Sequence, residues 1–338
     1  MTPSRNGKKS SAKFYSGICS NYQPDPVLLN SIYIEITDAC NLNCSFCPCG
    51  KQSQASTGPS AKARDFMDSA LFERSIQQAA LHAENVYFHI LGEPTLHPGF
   101  VHYLKALEAT SLKLNLTTNG TTIARVGKHM LQSKALRQVN FSTHAYGELD
   151  PAHAREHLQD VLDFCQMALV ARPDLYINLR LWNAGDFPNA HSQKEWNRFL
   201  IEQVTKTFEN DQNSVPDLEH FCSRHKSFPV KGRLYLHQDS RFEWPKLDEK
   251  ALRIQTSDER YVEGTCHALD THVGILHDGR VVACCLDYEG KITLGNLHEQ
   301  DLSEILKNPL ALSLREGFQK RELRHPLCKG CSFSRRFK

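Results

Sequence analysis

The chain has 338 residues, 40% of them apolar and 23% charged, with a net charge of +2 and a mean hydropathy of −0.46. That is enough to bury a sizeable core, as one large domain with an appendage or as two domains. No run approaches the ~18 apolar residues of a membrane helix, and the charge is too balanced for a protein that coats polyanions. The twelve cysteines are the informative count. The start, MTPSRNGKKSSAKFYSG, lacks the apolar stretch of a secretory signal. The expected compartment is therefore the cytoplasm, where many cysteines point to metal or redox chemistry rather than a disulfide framework.

Residues 1–28 show no periodicity and read as a flexible N-terminal tail. From residue 30 the pattern alternates. SIYIEIT (31–37) reads as a strand, and MDSALFERSIQQAALHA (67–83) as an amphipathic helix with Leu71, Ile76 and Ala80 on one side. VYFHIL (86–91) is a second strand and GFVHYLKALEA (99–109) a second helix. LKLNLTT (112–118) is a third strand, followed by a helix within 121–133. RQVNFST (137–143) is followed by a helix within 151–170, and LYINLRLW (174–182) by one within 194–208. RLYLH (233–237) is a weaker sixth strand, and 209–231 is polar and irregular, an insertion or substrate-facing loop. Such alternation implies right-handed βαβ units on a parallel sheet. Six units suit a partial (β/α)6, TIM-like barrel of α/β class. From about residue 260 the rhythm changes to hairpin, helix and a cysteine-bearing tail. The expected organisation is a tail over 1–28, a barrel over 29–240 and a small α+β unit over 241–338.

Directly after the first strand comes TDACNLNCSFCPCG, in which Cys40, Cys44 and Cys47 form C-x3-C-x2-C. One tight loop of this spacing can bring three thiolates to three irons of a cubane cluster and leave the fourth iron open. A zinc site completed by a distant ligand, or free thiols, are the alternatives for the motif taken alone. Later strand ends add Leu91-Gly92-Glu93-Pro94, Thr117-Thr118-Asn119-Gly120, Ser142-Thr143-His144 and Arg180. Together, in this order, these segments resemble the radical S-adenosylmethionine (SAM) superfamily, across roughly residues 31–182. The resemblance implies that SAM binds the open iron. It sets Phe46 against the adenine and Gly92, Glu93 and Pro94 at the SAM amino group. Thr118 and Asn119 would lie near the ribose, and Ser142 and Arg180 at the carboxylate. Leu91 stands where that family has a glycine. Cys49 is an extra thiol; as a ligand it would close the open iron, so it is expected to be a spare.

A second group comprises Cys266, Cys284, Cys285, Cys328 and Cys331. VGILHDGRVVACC reads as a hairpin whose Asp278-Gly279 supplies the positive φ angles of a two-residue turn. This returns Cys284 toward Cys266, and Cys328-Lys-Gly-Cys331 adds a C-x2-C knuckle. Four thiolates from three places can saturate a metal, structural zinc included. The spacing C-x12-G-x4-C and the following LGNLHEQDLSEIL resemble a SPASM domain. With few residues after the knuckle, the resemblance is to the shortened twitch form, and implies one auxiliary [4Fe-4S] cluster on Cys266, Cys284, Cys328 and Cys331. Neighbours on a strand point to opposite faces, so Cys285 is expected to be a buried filler or a thiol aimed at the active-site side.

The implied reaction is reductive cleavage of SAM to a 5′-deoxyadenosyl radical, then hydrogen abstraction from an unactivated carbon. The auxiliary cluster would accept an electron in an oxidation. Hydrogen return from Cys285 or Cys222 would instead give epimerisation. Flavodoxin or ferredoxin would supply the electron. A peptide or small molecule is the expected substrate, with the peptide class disfavoured by the short segment before the first strand. RNA modification is disfavoured by the charge, and a non-catalytic iron–sulfur or zinc protein is the alternative from another class. His89 and His144, beside strand ends, could face the cavity. Cys19 and Cys165 show no partner pattern, and the basic end Ser334-Arg-Arg-Phe-Lys338 reads as solvated.

Overall fold

The computed structural model describes residues 27–49, 65–184, 190–208, 226–240, 243–245 and 262–336. The expectations placed on Cys19, Cys222, most of the N-terminal tail and most of the 209–231 segment lie outside these residues. Six strands form a parallel array: β1 (Leu29–Ile34), β2 (Ala83–Phe88), β3 (Lys113–Thr118), β4 (Leu136–Phe141), β5 (Tyr176–Ala184) and, after the short β6 (Ser227–Lys231), β7 (Leu234–Ser240). The crossovers carry α1 (Ser69–Ala80), α2 (Phe100–Glu108), α3 (Ile123–Gln132), α4 (Pro151–Ala171) and α5 (Ala190–Phe208). Local chemistry sets the helix starts. Asp68 accepts from the Leu71 amide at 2.9 Å to cap α1, and Asp150 caps α4 with Pro151 in its first turn. The sheet is not closed, and the fold is that of a partial barrel.

The two faces of this sheet differ. Ile32, Ile34, Val86, Phe88, Leu114, Leu116, Val139 and Phe141 are sealed in one apolar core with helix residues such as Phe72, Leu104 and Val161. Alternation sends Tyr33, Tyr87, Asn115, Asn140, Asn178 and Arg180 the other way. In register, Tyr33 lies beside Tyr87 and Tyr87 beside Asn115; Asn140 pairs with Asn178 and Arg180 with His237. A parallel sheet usually presents apolar residues on both faces. The inner face here is polar.

The C-terminal unit is joined to the barrel through the sheet itself. β9 (His272–Ile275) lies parallel to β1, with Ser31 opposite His272 and Ile34 opposite Ile275. β10 (Arg280–Val282) and β11 (Thr293–Asn296) extend the sheet to ten strands. A two-stranded pair, β8 (Val262–Glu263) with β12 (Glu322–Leu323), and helices α6 (Leu302–Ile305), α7 (Pro309–Gln319) and α8 (Pro326–Lys329) complete the unit. Among the described residues no helix is long and apolar enough to cross a membrane.

Three local expectations are corrected. Part of the segment expected to be irregular forms β6, which pairs antiparallel with β7. The β9–β10 turn is a three-residue loop, closed by Gly279 N–H on Leu276 O and Leu276 N–H on Arg280 O, both 2.9 Å. In this turn only Gly279 has a positive φ, +85°, as a one-glycine bulge loop requires. Finally, β10 ends at Val282, so Cys284 and Cys285 lie in the bend that follows rather than on a strand.

One buried polar link crosses between the two units. Glu35, 2% exposed, follows β1 and accepts from the Leu91 amide at 3.0 Å, and its other oxygen lies 2.8 Å from His277 Nδ1 in the hairpin loop. Burial pushes the Glu35 carboxyl up, and the facing carboxylate pushes His277 up. The folded pair therefore retains a proton that the unfolded chain releases as pH rises through the ordinary histidine range near ~6.5. With the folded pKa above the unfolded one, this stabilisation is complete below that range and is lost as pH rises through the folded value. Replacing His277 by Ala should destabilise the fold by about 1–3 kcal/mol, the effect of orphaning a buried hydrogen-bonding group. It should also flatten the decline of the denaturation midpoint as pH rises above the ordinary histidine range near ~6.5. An equal pH slope in both proteins would refute the linkage.

Candidate active site

The C-terminal ends of β1, β2 and β3 are locked together by backbone contact. Gly92, at φ +74°, lies directly on the loop that follows β1. A Cβ there would stand 2.2 Å from Thr37 O and 2.9 Å from Asp38 C, so no larger residue fits. The Glu93 amide donates to Ala39 O at 2.7 Å. The Glu93 side chain is 2% exposed. It accepts from Thr95 N (3.0 Å), Thr95 Oγ1 (2.6 Å), Thr118 Oγ1 (2.8 Å) and Asn119 N (2.5 Å). Its burial raises its pKa, opposed by these donors. Glu93 is thus a brace between the ends of β2 and β3. Pro94 begins the 3-10 turn that supplies Thr95.

From this brace Asn119 reaches the cysteine loop. Its Nδ2 donates to Asn41 Oδ1 at 2.9 Å and lies 3.8 Å from Cys40 Sγ. The Tyr146 hydroxyl donates to Asn119 O from below. The loop's far side is pinned by Glu148, which accepts from Ser45 N (2.7 Å) and Ser45 Oγ (2.8 Å). Between these anchors the chain turns at Cys44, whose carbonyl accepts from the Cys47 amide at 3.1 Å. Cys40, Cys44 and Cys47 remain partly open, whereas Cys49 is 1% exposed and donates to Asp38 O at 3.3 Å. The Cys40 and Cys47 thiols are pushed up, first by hydrogen bonding to Cys49 and then by burial. Among the described residues no three Cys, His, Asp or Glu side chains converge as one metal ion requires. Three accessible sulfurs on one braced loop suit a larger, multi-iron group.

The remaining sequence-derived candidates surround this loop. Phe46 packs against His144, ring centroids 5.5 Å apart. Ser142 follows β4, its amide donating to Thr118 O at 2.8 Å. Arg180 on β5 donates to Thr117 Oγ1 at 3.4 Å and stacks over Trp182 at 4.2 Å. His144 is held by the Arg180 carbonyl, 3.2 Å from its Nδ1, a structural role. His89 lies against Tyr33 and Tyr87 on the inner face. Cys165 is sealed in α4, far from any thiol pattern.

The C-terminal cysteines gather from three places. Cys266 Sγ accepts from Ala268 N at 3.4 Å, and Cys331 N–H closes the knuckle on Cys328 O at 3.2 Å. Cys266 lies within electrostatic reach of Cys284, Cys328 and Cys331, and burial pushes the Cys266, Cys284 and Cys328 thiols up. Cys285 hydrogen-bonds the Tyr33 hydroxyl, and burial pushes its thiol up to about 12. Sequence reasoning missed Tyr33, Glu35, Asn41, Tyr146 and His277. For Tyr33 and Glu35 a signal existed, since strict alternation with Ile32, Ile34 and Ile36 puts both on the inner side.

A model of the radical SAM superfamily matches residues 34–183, and one of the SPASM iron–sulfur cluster-binding domain matches residues 266–332. A tungsten-containing aldehyde ferredoxin oxidoreductase cofactor-modifying protein from Pyrococcus furiosus is 33% identical over 94 residues, 27% of this chain; the match spans about a quarter (24%) of that protein's length. SuiB of Streptococcus suis bound to the precursor peptide SuiA has a TM-score of 0.52 at 16% identity, covering 90% of this chain and 71% of SuiB. Native anSMEcpe with bound AdoMet has a TM-score of 0.52 at 16% identity, covering 89% of each chain. At these identities the two structures establish the fold.

The tightest geometric requirement is the backbone contact at Gly92. Gly92→Ala forces a Cβ into Thr37 O and requires a positive φ that alanine resists. The variant should lose at least half of the soluble yield or shift the melting midpoint down by several degrees, roughly what 1–2 kcal/mol produces. Wild-type melting with full SAM affinity would show that the loop does not need this contact.

Proposed function

Because the chain belongs to the radical SAM superfamily and carries a SPASM domain, we propose that it is an oxidoreductase that removes hydrogen from an unactivated carbon of a small molecule or peptide. Its cofactors are a [4Fe-4S] cluster, an auxiliary cluster and SAM. The observation that carries the reading is the braced loop: three partly open thiols held by the Gly92–Glu93 interlock at the C-terminal strand ends, where such sheets place chemistry.

Cys40, Cys44 and Cys47 would hold the first cluster, and Cys266, Cys284, Cys328 and Cys331 the auxiliary one. When bound, the first cluster and SAM supply a 5′-deoxyadenosyl radical by one-electron reduction, from a flavodoxin- or ferredoxin-type donor in the cytoplasm. Phe46 would face the adenine, and Asn119 and Thr118 the ribose. Gly92, Glu93 and Pro94 would shape the pocket for the amino group, with Glu93 acting chiefly by holding Asn119 in place. Ser142 and Arg180 would take the carboxylate, Arg180 remaining cationic although burial lowers it to about 10. Cys285 stays a neutral thiol at ordinary pH and, hydrogen-bonded to Tyr33 on the inner face, is the residue we assign to hydrogen return if the net reaction is not an oxidation. The auxiliary cluster would otherwise take the electron.

Anaerobically reconstituted protein given dithionite and SAM should release 5′-deoxyadenosine, and Cys40→Ala should abolish it. Cys328→Ala should fall from about eight to about four irons per chain yet still cleave SAM. Zinc in place of iron, or no 5′-deoxyadenosine from an iron-loaded wild type, would overturn the reading.

A further inference from the structure

The inner face of the sheet divides into a satisfied floor and an unsatisfied rim. In the floor, Asn140 Oδ1 accepts from Asn178 Nδ2 and Gln138 Nε2, both at 2.8 Å, and Asn115 Oδ1 accepts from Arg137 Nη1 at 3.0 Å. Above it, three buried nitrogens have no hydrogen-bond partner: His89 Nδ1, Arg180 Nε and Trp182 Nε1. They share one space. Arg180 lies over the Trp182 ring at 4.2 Å, within electrostatic reach of His89, Tyr33 and Tyr87, and Trp182 packs toward His237 at 6.3 Å.

Arg and Trp nitrogens only donate, so two of these three atoms demand an acceptor. Arg180 is part-buried, its Nη1 has Thr117 Oγ1, and SAM's carboxylate would take a further share of its charge, but its Nε and the Trp182 indole keep no acceptor. The strand positions around them supply no acidic group. Tyr33, Tyr87, Asn115, Thr117, Asn140 and Asn178 are all uncharged. The nearby acid Glu35 is engaged with His277, and Asp239 with Lys226 at 3.1 Å. Burial and the Arg180 charge hold His89 down near 3, so at neutral pH it adds a hydrogen-bonding edge and no second charge. Beside the rim stands the stacked pair Tyr33–Tyr87, centroids 4.8 Å apart, with His89 edge-on at 5.2 Å. The result is one cation, a donor-only indole and a neutral imidazole beside an aromatic wall.

We infer that His89, Arg180 and Trp182 form a recognition rim for a carboxylate on the molecule being modified. The inference rests on the proposed radical SAM function and names the substrate class of that site. SAM carries a carboxylate too, and Arg180 has five N–H donors, enough to face both acids at once. Trp182 and His89 distinguish the two sources, since neither is assigned to SAM.

The test uses the reconstituted full chain under anaerobic conditions, saturated with SAM. N-acetylglycine and benzoate serve as carboxylate probes, and N-acetylglycinamide and benzamide as their uncharged twins. Binding is read by ligand-detected NMR and thermal shift. The carboxylates should bind and the amides should not. Trp182→Phe should weaken carboxylate binding at least fivefold while SAM affinity, titrated separately, stays within twofold; His89→Leu should do the same should Trp182→Phe fold poorly. Equal binding of amides and carboxylates, or no binding of either, overturns the inference. So does a Trp182→Phe loss that falls on SAM instead, which assigns the rim to SAM's own acid. Failure of wild-type iron-loaded protein to bind SAM at all removes the radical SAM reading and this one with it, an outcome distinct from SAM binding with indifference to the probes.

Discussion

The site depends on one backbone contact. The loop after β1 and the segment after β2 approach so closely at Gly92 that there is no room for a single carbon atom. Everything in the cysteine loop is placed relative to that contact. The Glu93 amide fixes Ala39, just before Cys40, and the Glu93 carboxylate gathers the donors at the end of β3. Asn119, so held, reaches back to Asn41 on the other side of Cys40. A flexible loop carrying three thiols would lose much of its binding energy in being ordered. Here three strand ends do that ordering before any ligand arrives.

The same economy explains the buried acid. An isolated carboxylate in such a position would be expelled or protonated. Glu93 persists because four donors converge on it, two of them side-chain hydroxyls from Thr95 and Thr118. Its burial therefore reports the integrity of the β2 and β3 ends together. A substitution in either threonine acts on the cysteine loop at one remove.

The six-strand rhythm, the helices and the cysteine spacings were legible because they repeat a period or a fixed offset. The approximate placement of each strand followed from apolar alternation, and Gly92 and Asn119 stood out as short motifs at strand ends. What escaped was set by tertiary contact. Asp278-Gly279 looks like a two-residue turn, yet the extra residue His277 is drawn into the loop by Glu35, far away in sequence. Cys284 and Cys285 follow valines and read as strand, but the chain bends once β10 ends, and no local signal marks where a pairing partner stops. Glu93 reads as a ligand-facing acid, and only the positions of Thr95, Thr118 and the Asn119 amide reveal that its oxygens are occupied by the protein itself.

β9 adds to the barrel at β1, the strand that also launches the cysteine loop. One strand thus borders both sulfur clusters of the sequence. Its outward residues, Ile32 and Ile34, are sealed in the common core, and its inward residues point to the shared space. Tyr33 touches the inner aromatic wall on one side and the Cys285 thiol on the other. Glu35, two residues on, ties the Leu91 amide to the hairpin. Alternation along a single strand is enough to make β1 the mechanical joint between the two units. A shift of β9 against β1 by one residue would reverse every inward and outward side chain at the joint, so the register of this pair fixes how the C-terminal cysteines face the barrel.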